Sequence, residues 1–507
     1  MTRDWMAELA AHVARMQAQY PDEPLMVMFD IDGTILDMRY LIYELLQEYD
    51  REHQTNFFAR LQRTEIDVHE NRIGEFLLQL DIPPVVQEEI ETWYFDRYWT
   101  TDAIHLYHRP FPQVFDVIRW LQMQPQITVG LNTGRLDAQR ADTLSSLNAL
   151  GRDYRVHFAS ALLFMRPDDW PDSVAESKVA GLHWYQEQGY RIIAMLDNEP
   201  SNLDALAAAD TADEILLLHA DTIFISEDTH LPPTTIQGET YDLTQLITEE
   251  QLPPAVQLVW HGVNDRINLA RYLSSSIEWP ELDVNLDPAE QTLILRHDSF
   301  AELPATENEH YLPLDEALVR LRERNRAVKL DFKVGGPWIE ETLDLVDKHN
   351  FDPAQLWFNA NLELWGEAWV RRLARAYPGA IVQSPIGFLA PQIGQPDAMK
   401  TRLEEVVSWG INRFSVPWHL AEARELVIQL LDWDFAVNIY GVTDLTSFLQ
   451  AVLLQPHAVT CDFNFPEWGY YGRGSGRRGF YYTYPAATEP ATQSQAVTGD
   501  ELLAAGC

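Results

Sequence analysis

Asp30 and Asp32 are two carboxylates spaced two residues apart, directly after the apolar run Leu25 to Phe29 and directly before Gly33-Thr34. The run has the length of a buried parallel strand. Side chains two apart on a strand share a face, so both acids can point at one place beyond its end. Ligands of open α/β sheets bind at the carboxyl ends of strands, and Gly33 permits the sharp turn needed there. Two crowded carboxylates repel unless a cation or a shared proton neutralises them. The chemistry implied is a metal-assisted carboxylate nucleophile with an acid/base partner.

Three further pieces follow in order. Ile127 to Leu131 reads as a strand and ends in Asn132-Thr133-Gly134-Arg135. Lys178 lies in Glu176-Ser177-Lys178 at a helix start. Ile192 to Leu196 reads as a strand that runs into Asp197-Asn198-Glu199-Pro200-Ser201-Asn202. With Asp30-x-Asp32-Gly33-Thr34, this set resembles the four motifs of the haloacid dehalogenase (HAD) superfamily over residues 20–225. The resemblance implies that Asp30 attacks phosphorus and becomes an aspartyl-phosphate, while Asp32 protonates the leaving alcohol and then activates water. It implies that Thr133 and the loop N–H groups at Gly134 bind the phosphoryl group, and that Lys178 offsets its charge. Asp30, the main-chain oxygen of Asp32 and Asp197 would hold Mg²⁺. Many relatives carry two adjacent acids in the fourth motif; here Asn198 follows Asp197, and the second acid is Glu199, Asp204 or absent. An acid at position 32 favours a phosphatase or a phosphomutase.

A second constellation lies beyond residue 255. Strand-like runs end in His261-Gly262-Val263-Asn264, Glu281-Leu282-Asp283, Arg296-His297-Asp298 and Lys329-Leu330-Asp331-Phe332-Lys333. If these are successive strand ends of one barrel, three carboxylates, two histidines and a lysine meet at its C-terminal rim. Three carboxylates suit Mg²⁺ or Ca²⁺, and two histidines suit general base and acid. These motifs, with Leu356-Trp357-Phe358-Asn359-Ala360, Val437-Asn438-Ile439-Tyr440 and Thr460-Cys461-Asp462, resemble the glycerophosphodiester phosphodiesterase-like barrels, and within that group the menorins. The resemblance implies that Glu281, Asp283 and Asp331 bind metal, that His261 and His297 transfer protons, and that Lys333 contacts phosphate. Phosphodiesterases usually carry Arg after the first histidine, where this chain has Gly262. Tyr470 to Gly479 is basic and glycine-rich; it reads as a solvated loop or as a lid offering Arg473, Arg477 or Arg478 to phosphate.

The positioning elements follow from pattern. The expected architecture is α/β: a Rossmann-like parallel sheet over residues 1–227 with a helical cap at 38–108, then a linker at 228–254. A (β/α)8 barrel at 255–484 and a disordered tail at 485–507 complete it. Trp5, Leu9, Val13, Met16 and Tyr20 recur at helical spacing, which predicts an amphipathic helix packed on the first domain. Pro110-Phe111-Pro112 is expected to start a helix through Trp120, another helix follows from about Asp137, and Ile215 to Leu218 is a further strand. The aromatic group Trp93, Tyr94, Phe95, Tyr98 and Trp99 is expected in the cap core. The pair Pro253-Pro254 supports the linker reading.

The 507 residues suit two or three domains. A net charge of −40, from 37 basic and 77 acidic residues, argues against nucleic acid and anionic membranes as partners. A small phosphorylated substrate remains compatible, because a local metal or lysine dominates inside a cleft. Cys461 and Cys507 make no disulfide framework, and no signal or membrane-spanning segment stands out, so a cytoplasmic protein is expected. The function expected is a phosphohydrolase with a monoesterase domain and a diester-cleaving barrel. The alternatives are a phosphatase whose barrel only binds or regulates, and a phosphomutase. Substrate alcohol and oligomeric state are left open.

Overall fold

The computed structural model describes residues 4–461 apart from 81, 171–172, 223–229, 302 and 306–309, and the backbone of 463–464 and 469–470. The chain divides into two compact units, Met1–Thr248 and Glu249–Cys507. Asp462, the segment from 471 to 479 and the tail 485–507 lie outside the described residues.

The first unit is built on six parallel strands: β1 Leu25–Phe29, β2 Ile127–Leu136, β3 Leu163–Arg166, β4 Arg191–Asp197, β5 Leu216–Ala220 and β6 Ile236–Gly238. Their order across the sheet is β3-β2-β1-β4-β5-β6. β1 lies between β2 and β4 and is buried along its whole length, as an uninterrupted apolar run requires. The ends of β2, β1 and β4 are therefore neighbours. The helix Trp5–Gln19 buries Trp5, Leu9, Val13 and Met16, as its spacing predicts. The helices Arg39–His53, Ile73–Gln79, Pro84–Tyr98 and Thr101–Tyr107 form the cap between β1 and β2. Of the expected aromatic group, Trp93, Tyr94 and Tyr98 are buried in its core, with Tyr49, Phe58 and Phe76 beside them; Phe95 is exposed. The stems entering and leaving the cap are tied together: Asp37 N donates to Arg109 O (2.8 Å) and Phe111 N to Ile35 O (3.0 Å).

Two local expectations are corrected, and one strand goes unforeseen. The helix after Pro110-Phe111-Pro112 starts only at Val114, because Gln113 takes a left-handed φ of 65° that interrupts it. Strand β3 has just four residues between turns, too short to show a period in the sequence. The supposed linker 228–254 is largely structural: β6 extends the sheet, the helix Leu243–Leu246 follows, and the unit runs to Thr248. Tyr241 from this stretch is buried and donates to Thr34 O (2.7 Å), while Thr222 Oγ1 donates to Gly33 O (2.6 Å). The loop after Asp30 is thus held from the far end of the domain.

In the second unit, eight parallel strands close on themselves: β7 Gln257–Trp260, β8 Trp279–Leu286, β11 Val328–Phe332, β12 Leu356–Asn359, β13 Ile381–Pro385, β14 Arg413–Pro417, β15 Val437–Val442 and β16 Ala458–Cys461. β16 pairs with β7, and β7 with β8. β9 Leu293–Leu295 and β10 Leu312–Pro313 extend β8 in antiparallel fashion; β9 is the expected extra strand. The interior is filled with side chains, Trp279 and Trp357 packing edge to face at 5.4 Å. No described helix is long and apolar enough to cross a membrane.

Tyr241→Phe removes a single buried hydrogen bond, whose net worth is about 1 kcal/mol. The expected outcome in a urea melt of the full chain is a loss of that size in the first transition. Unchanged stability would show that the Thr34 carbonyl finds another donor.

Candidate active sites

Asp30 follows β1, Asp197 ends β4, and Thr133 lies within β2, which runs past the expected end at Leu131 to Leu136 with an irregularity after Thr133. Lys178 arrives from the first turns of the helix Val174–Glu187, which Ser173 and Glu176 cap reciprocally. The helix start places the lysine under the strand ends. Its Nζ lies 2.5 Å from Asp30 Oδ1, 2.6 Å from Asn132 O and 2.8 Å from Asp197 Oδ2, with Lys178 and both acids buried. Burial works against the lysine's charge, but Asp197 and Asp30 outweigh it and raise its pKa. Asp30 is pushed up to about 8, chiefly by burial, against the pull of Lys178.

Asp32 is held differently. Arg135 Nε donates to its Oδ2 (2.8 Å) and Nη2 to its Oδ1 (2.5 Å). Burial would raise its pKa, but this two-pronged pair dominates and lowers it. Arg135 also donates to Thr143 Oγ1 (3.1 Å) and lies 5.1 Å from the centre of the Trp99 ring. His108 beside it is pushed down to about 3, by burial first and Arg135 second, so it is neutral. Arg135 was visible in the sequence only as the last residue of a motif. Its partner lies 103 residues away, and no local signal reveals the pair.

Asp30, Asp32, Thr133, Gly134, Arg135 and Lys178 line one cavity of about 220 Å³ with His69, Glu70 and Trp99 of the cap. The structure therefore gathers the expected first-domain residues, Asp197 standing just behind Lys178. Trp99 contributes to the cavity wall as well as to the cap. Glu70 went unseen in the sequence because its turn has no period; it is buried, and burial raises it to about 8, with Asp32 adding to the effect.

Among the described residues, no three His, Cys, Asp or Glu form a ready-made metal cage. Asp197 is engaged by Lys178, by Asn202 Nδ2 (3.0 Å) and by the Glu199 N–H (2.9 Å). The Asn198 amide instead stands 3.3 Å from Asp30 Oδ2 and 2.9 Å from the Asp32 main-chain oxygen. Turned one way, its nitrogen donates to both. Turned the other way, three oxygens face one another, a donor set that suits a hard cation such as Mg²⁺. Gly33, at φ 78°, leaves room for this amide, since a Cβ there would come within 2.4 Å of it.

In the barrel, β8 and β11 pair with Asp283 level with Asp331. Lys333 Nζ reaches both, at 3.1 Å and 2.5 Å. Burial acts against Asp283's charge, but Lys333, His297 and His261 together hold its carboxyl well below the usual range. The rings of His261 and His297 lie 6.2 Å apart, and His297 Nδ1 is 2.5 Å from Asp298 Oδ1, which orients the ring. Asn264 donates to Asp283 Oδ2 (2.5 Å) and Asn359 to Asp331 Oδ1 (2.9 Å). Glu281 Oε1 lies 3.4 Å from Lys329 Nζ, and its buried Oε2 has no hydrogen-bond partner among the described residues, while Asp283 Oδ1 faces Lys333 Nζ. A buried carboxylate oxygen left over in this way fits a Mg²⁺ or Ca²⁺ ligand set. The six expected barrel residues thus come from β8 and β11 and from the segments that follow β7, β9 and β11, and they meet around Asp283 and Lys333. Gly262 takes φ 70°, a conformation an arginine adopts only at a cost, which accounts for the departure at that position.

No protein-family model matches the chain, and no curated protein does. Among solved structures, a HAD-superfamily hydrolase of subfamily IA from Geobacter sulfurreducens shares 12% identity over 43% of this chain and 92% of its own, at a TM-score of 0.30. A glycerophosphodiester phosphodiesterase from Parabacteroides distasonis shares 15% identity over 41% of this chain and 92% of its own, at 0.31. A phosphodiesterase from Oleispira antarctica, solved with its product sn-glycerol-3-phosphate, shares 15% over 42% of this chain and 93% of its own, also at 0.31. These likenesses add nothing to the geometry above.

Arg135→Met leaves the Asp32 charge buried without its partner and is expected to cost about 3 kcal/mol at neutral pH. The pair lowers the pKa of Asp32. Its stabilisation is therefore complete above the ordinary carboxylate pKa of about 4 and is lost as pH falls through the lower folded value. Urea titrations at descending pH should show the gap between wild type and variant closing in acid. A gap that widens there would contradict the pairing.

Proposed function

We propose that the first unit hydrolyses a small phosphomonoester through Asp30. The observation that carries this reading is the single cavity shared by Asp30, Thr133 and Lys178, with Asp197 behind the lysine. Asp30 Oδ forms a bond to phosphorus as the phosphorus–alcohol oxygen bond breaks, and Asp32 gives its proton to the departing oxygen. Water then attacks the aspartyl-phosphate, and Asp32 takes the water's proton. In the structure Asp32 is held as an ion by Arg135, so it must collect that proton as substrate binds. The phosphoryl dianion supplies the competitor that draws Arg135 away. Thr133 and the N–H groups at Gly134 orient the phosphoryl oxygens, and Lys178 balances their charge. Mg²⁺ would be held by Asp30, the Asp32 main-chain oxygen, Asp197 and Asn198, and would supply charge neutralisation when bound.

For the barrel, the proposal is phosphodiester cleavage. His261 and His297 move protons on either side of phosphorus, Lys333 contacts a phosphate oxygen, and Glu281, Asp283 and Asp331 would hold Mg²⁺ or Ca²⁺. The monoester released there would serve the first unit as substrate, two hydrolyses in series within one chain. A purely binding barrel is favoured by one observation: Lys333 already neutralises Asp283 and Asp331.

Asp30→Asn is expected to lower Mg²⁺-dependent hydrolysis of p-nitrophenyl phosphate by a factor of 10³ or more while the circular dichroism stays that of wild type; activity near wild type refutes the nucleophile. Release of free phosphate, as opposed to an isomeric phosphate ester, separates hydrolysis from mutase chemistry. For the barrel, ³¹P spectra of a glycerophosphodiester should show monoester and then inorganic phosphate with wild type, and unreacted diester with His261→Ala. Equal turnover by both, or by neither, sinks the serial scheme and leaves the binding role.

A further inference from the structure

The alcohol half of the substrate is constrained by the cap side of the first cavity. At about 220 Å³, this space falls below the ~300–1,000 Å³ typical of sites for drug-sized ligands. A phosphoryl group with a few carbons fills it; a nucleoside or an acyl chain does not fit. Its wall is polar. Asn71, Gln139 and Asn202 offer amides, and Trp99 offers the one large aromatic face among the lining residues.

Glu70 is the unusual member of that wall. It begins the short turn Glu70–Arg72 before the helix Ile73–Gln79 and is only 7% exposed. The Tyr94 hydroxyl donates to its main-chain oxygen (3.3 Å) and pins the turn. A buried carboxyl is costly unless donors meet it. His69 Nδ1 lies 3.3 Å from Glu70 Oε2, but it already accepts the Asn71 N–H at 3.1 Å. His69 Nε2 in turn lies 3.8 Å from Glu199 Oε1. Glu70 lines the cavity and its carboxyl accepts from its own main-chain N–H, while on the same wall Gln139 Oε1 is buried with no hydrogen-bond partner among the described residues.

We propose that Glu70 recognises hydroxyl groups of the leaving alcohol, and that the substrate is a small polyol or open-chain sugar phosphate. This rests on the monoesterase reading of the first unit. A hydroxyl-bearing chain of three to five carbons places donors against Glu70 and against the amide oxygens, while its C–H face lies on Trp99. An alkyl phosphate of equal length offers no donor to Glu70 or to Gln139 Oε1 and loses that discrimination.

The test compares glycerol, tetritol and pentitol phosphates with butyl phosphate, adenosine 5′-monophosphate and p-nitrophenyl phosphate, using the full chain with Mg²⁺. Wild type is expected to favour the polyol phosphates over butyl phosphate by 100-fold or more in kcat/KM. Glu70→Leu should cut that preference at least ten-fold, mainly through KM. Glu70→Gln, which keeps one acceptor and the side-chain shape, should cut it about three-fold and covers the case in which the leucine variant melts early. Equal use of polyol and butyl phosphates, hydrolysis of the nucleotide as fast as the polyol phosphates, or an unchanged preference in the Gln variant overturns the proposal. A wild type that hydrolyses p-nitrophenyl phosphate without polyol preference defeats only this inference. A wild type that hydrolyses none of the monoesters defeats the monoesterase reading beneath it.

Discussion

A single ammonium group, Lys178 Nζ, stands between two buried carboxylates, Asp30 and Asp197. Without it two acids at adjacent strand ends would repel in a place from which water is excluded. The arrangement needs β1 beside β4, the helix Val174–Glu187 starting beneath them, and Asn132 accepting from Lys178 Nζ through its main-chain oxygen while its side chain returns a hydrogen bond to Lys178 O. Sheet order, helix start and charge balance are thus one constraint. The second acid is neutralised by a separate cation, Arg135, so the two carboxylates share a face and keep different electrostatic surroundings.

The barrel uses the same device on an unrelated scaffold. Lys333 bridges Asp283 and Asp331, which are level with each other on adjacent parallel strands. In both units a lysine lies within ion-pair distance of two aspartates at neighbouring strand ends. A strand's two-residue period aims such side chains together, and a long flexible cation closes the charge between them.

How far the sequence could be read follows from how local each signal is. Asp30, Thr133, Lys178 and Asp197 were legible because each sits where an apolar run ends or a helix begins, and those junctions carry their own signature. The barrel strands were legible for the same reason. Arg135 lay in plain view, but its role is set by an acid far away in the chain. Glu70 and His69 lie on an irregular cap turn where nothing in the residue order marks a wall. β6 was hidden by brevity: Ile236-Gln237-Gly238, flanked by prolines and acids, resembles a connector, yet neighbouring Tyr241 secures the loop after Asp30. Gly262 shows the converse, a departure from pattern that backbone geometry explains.

The paired stems of the cap bear on motion. Asp37 with Arg109, and Ile35 with Phe111, form a narrow ribbon that begins three residues after Asp32. Leu36 also bridges back to Asp32 and across to Pro110. A displacement of the helices above this ribbon would be passed first to the peptide groups next to Asp32 and only then to the rest of the sheet, so the setting of the cap and that of the Asp32 carbonyl oxygen are tied through the same few contacts.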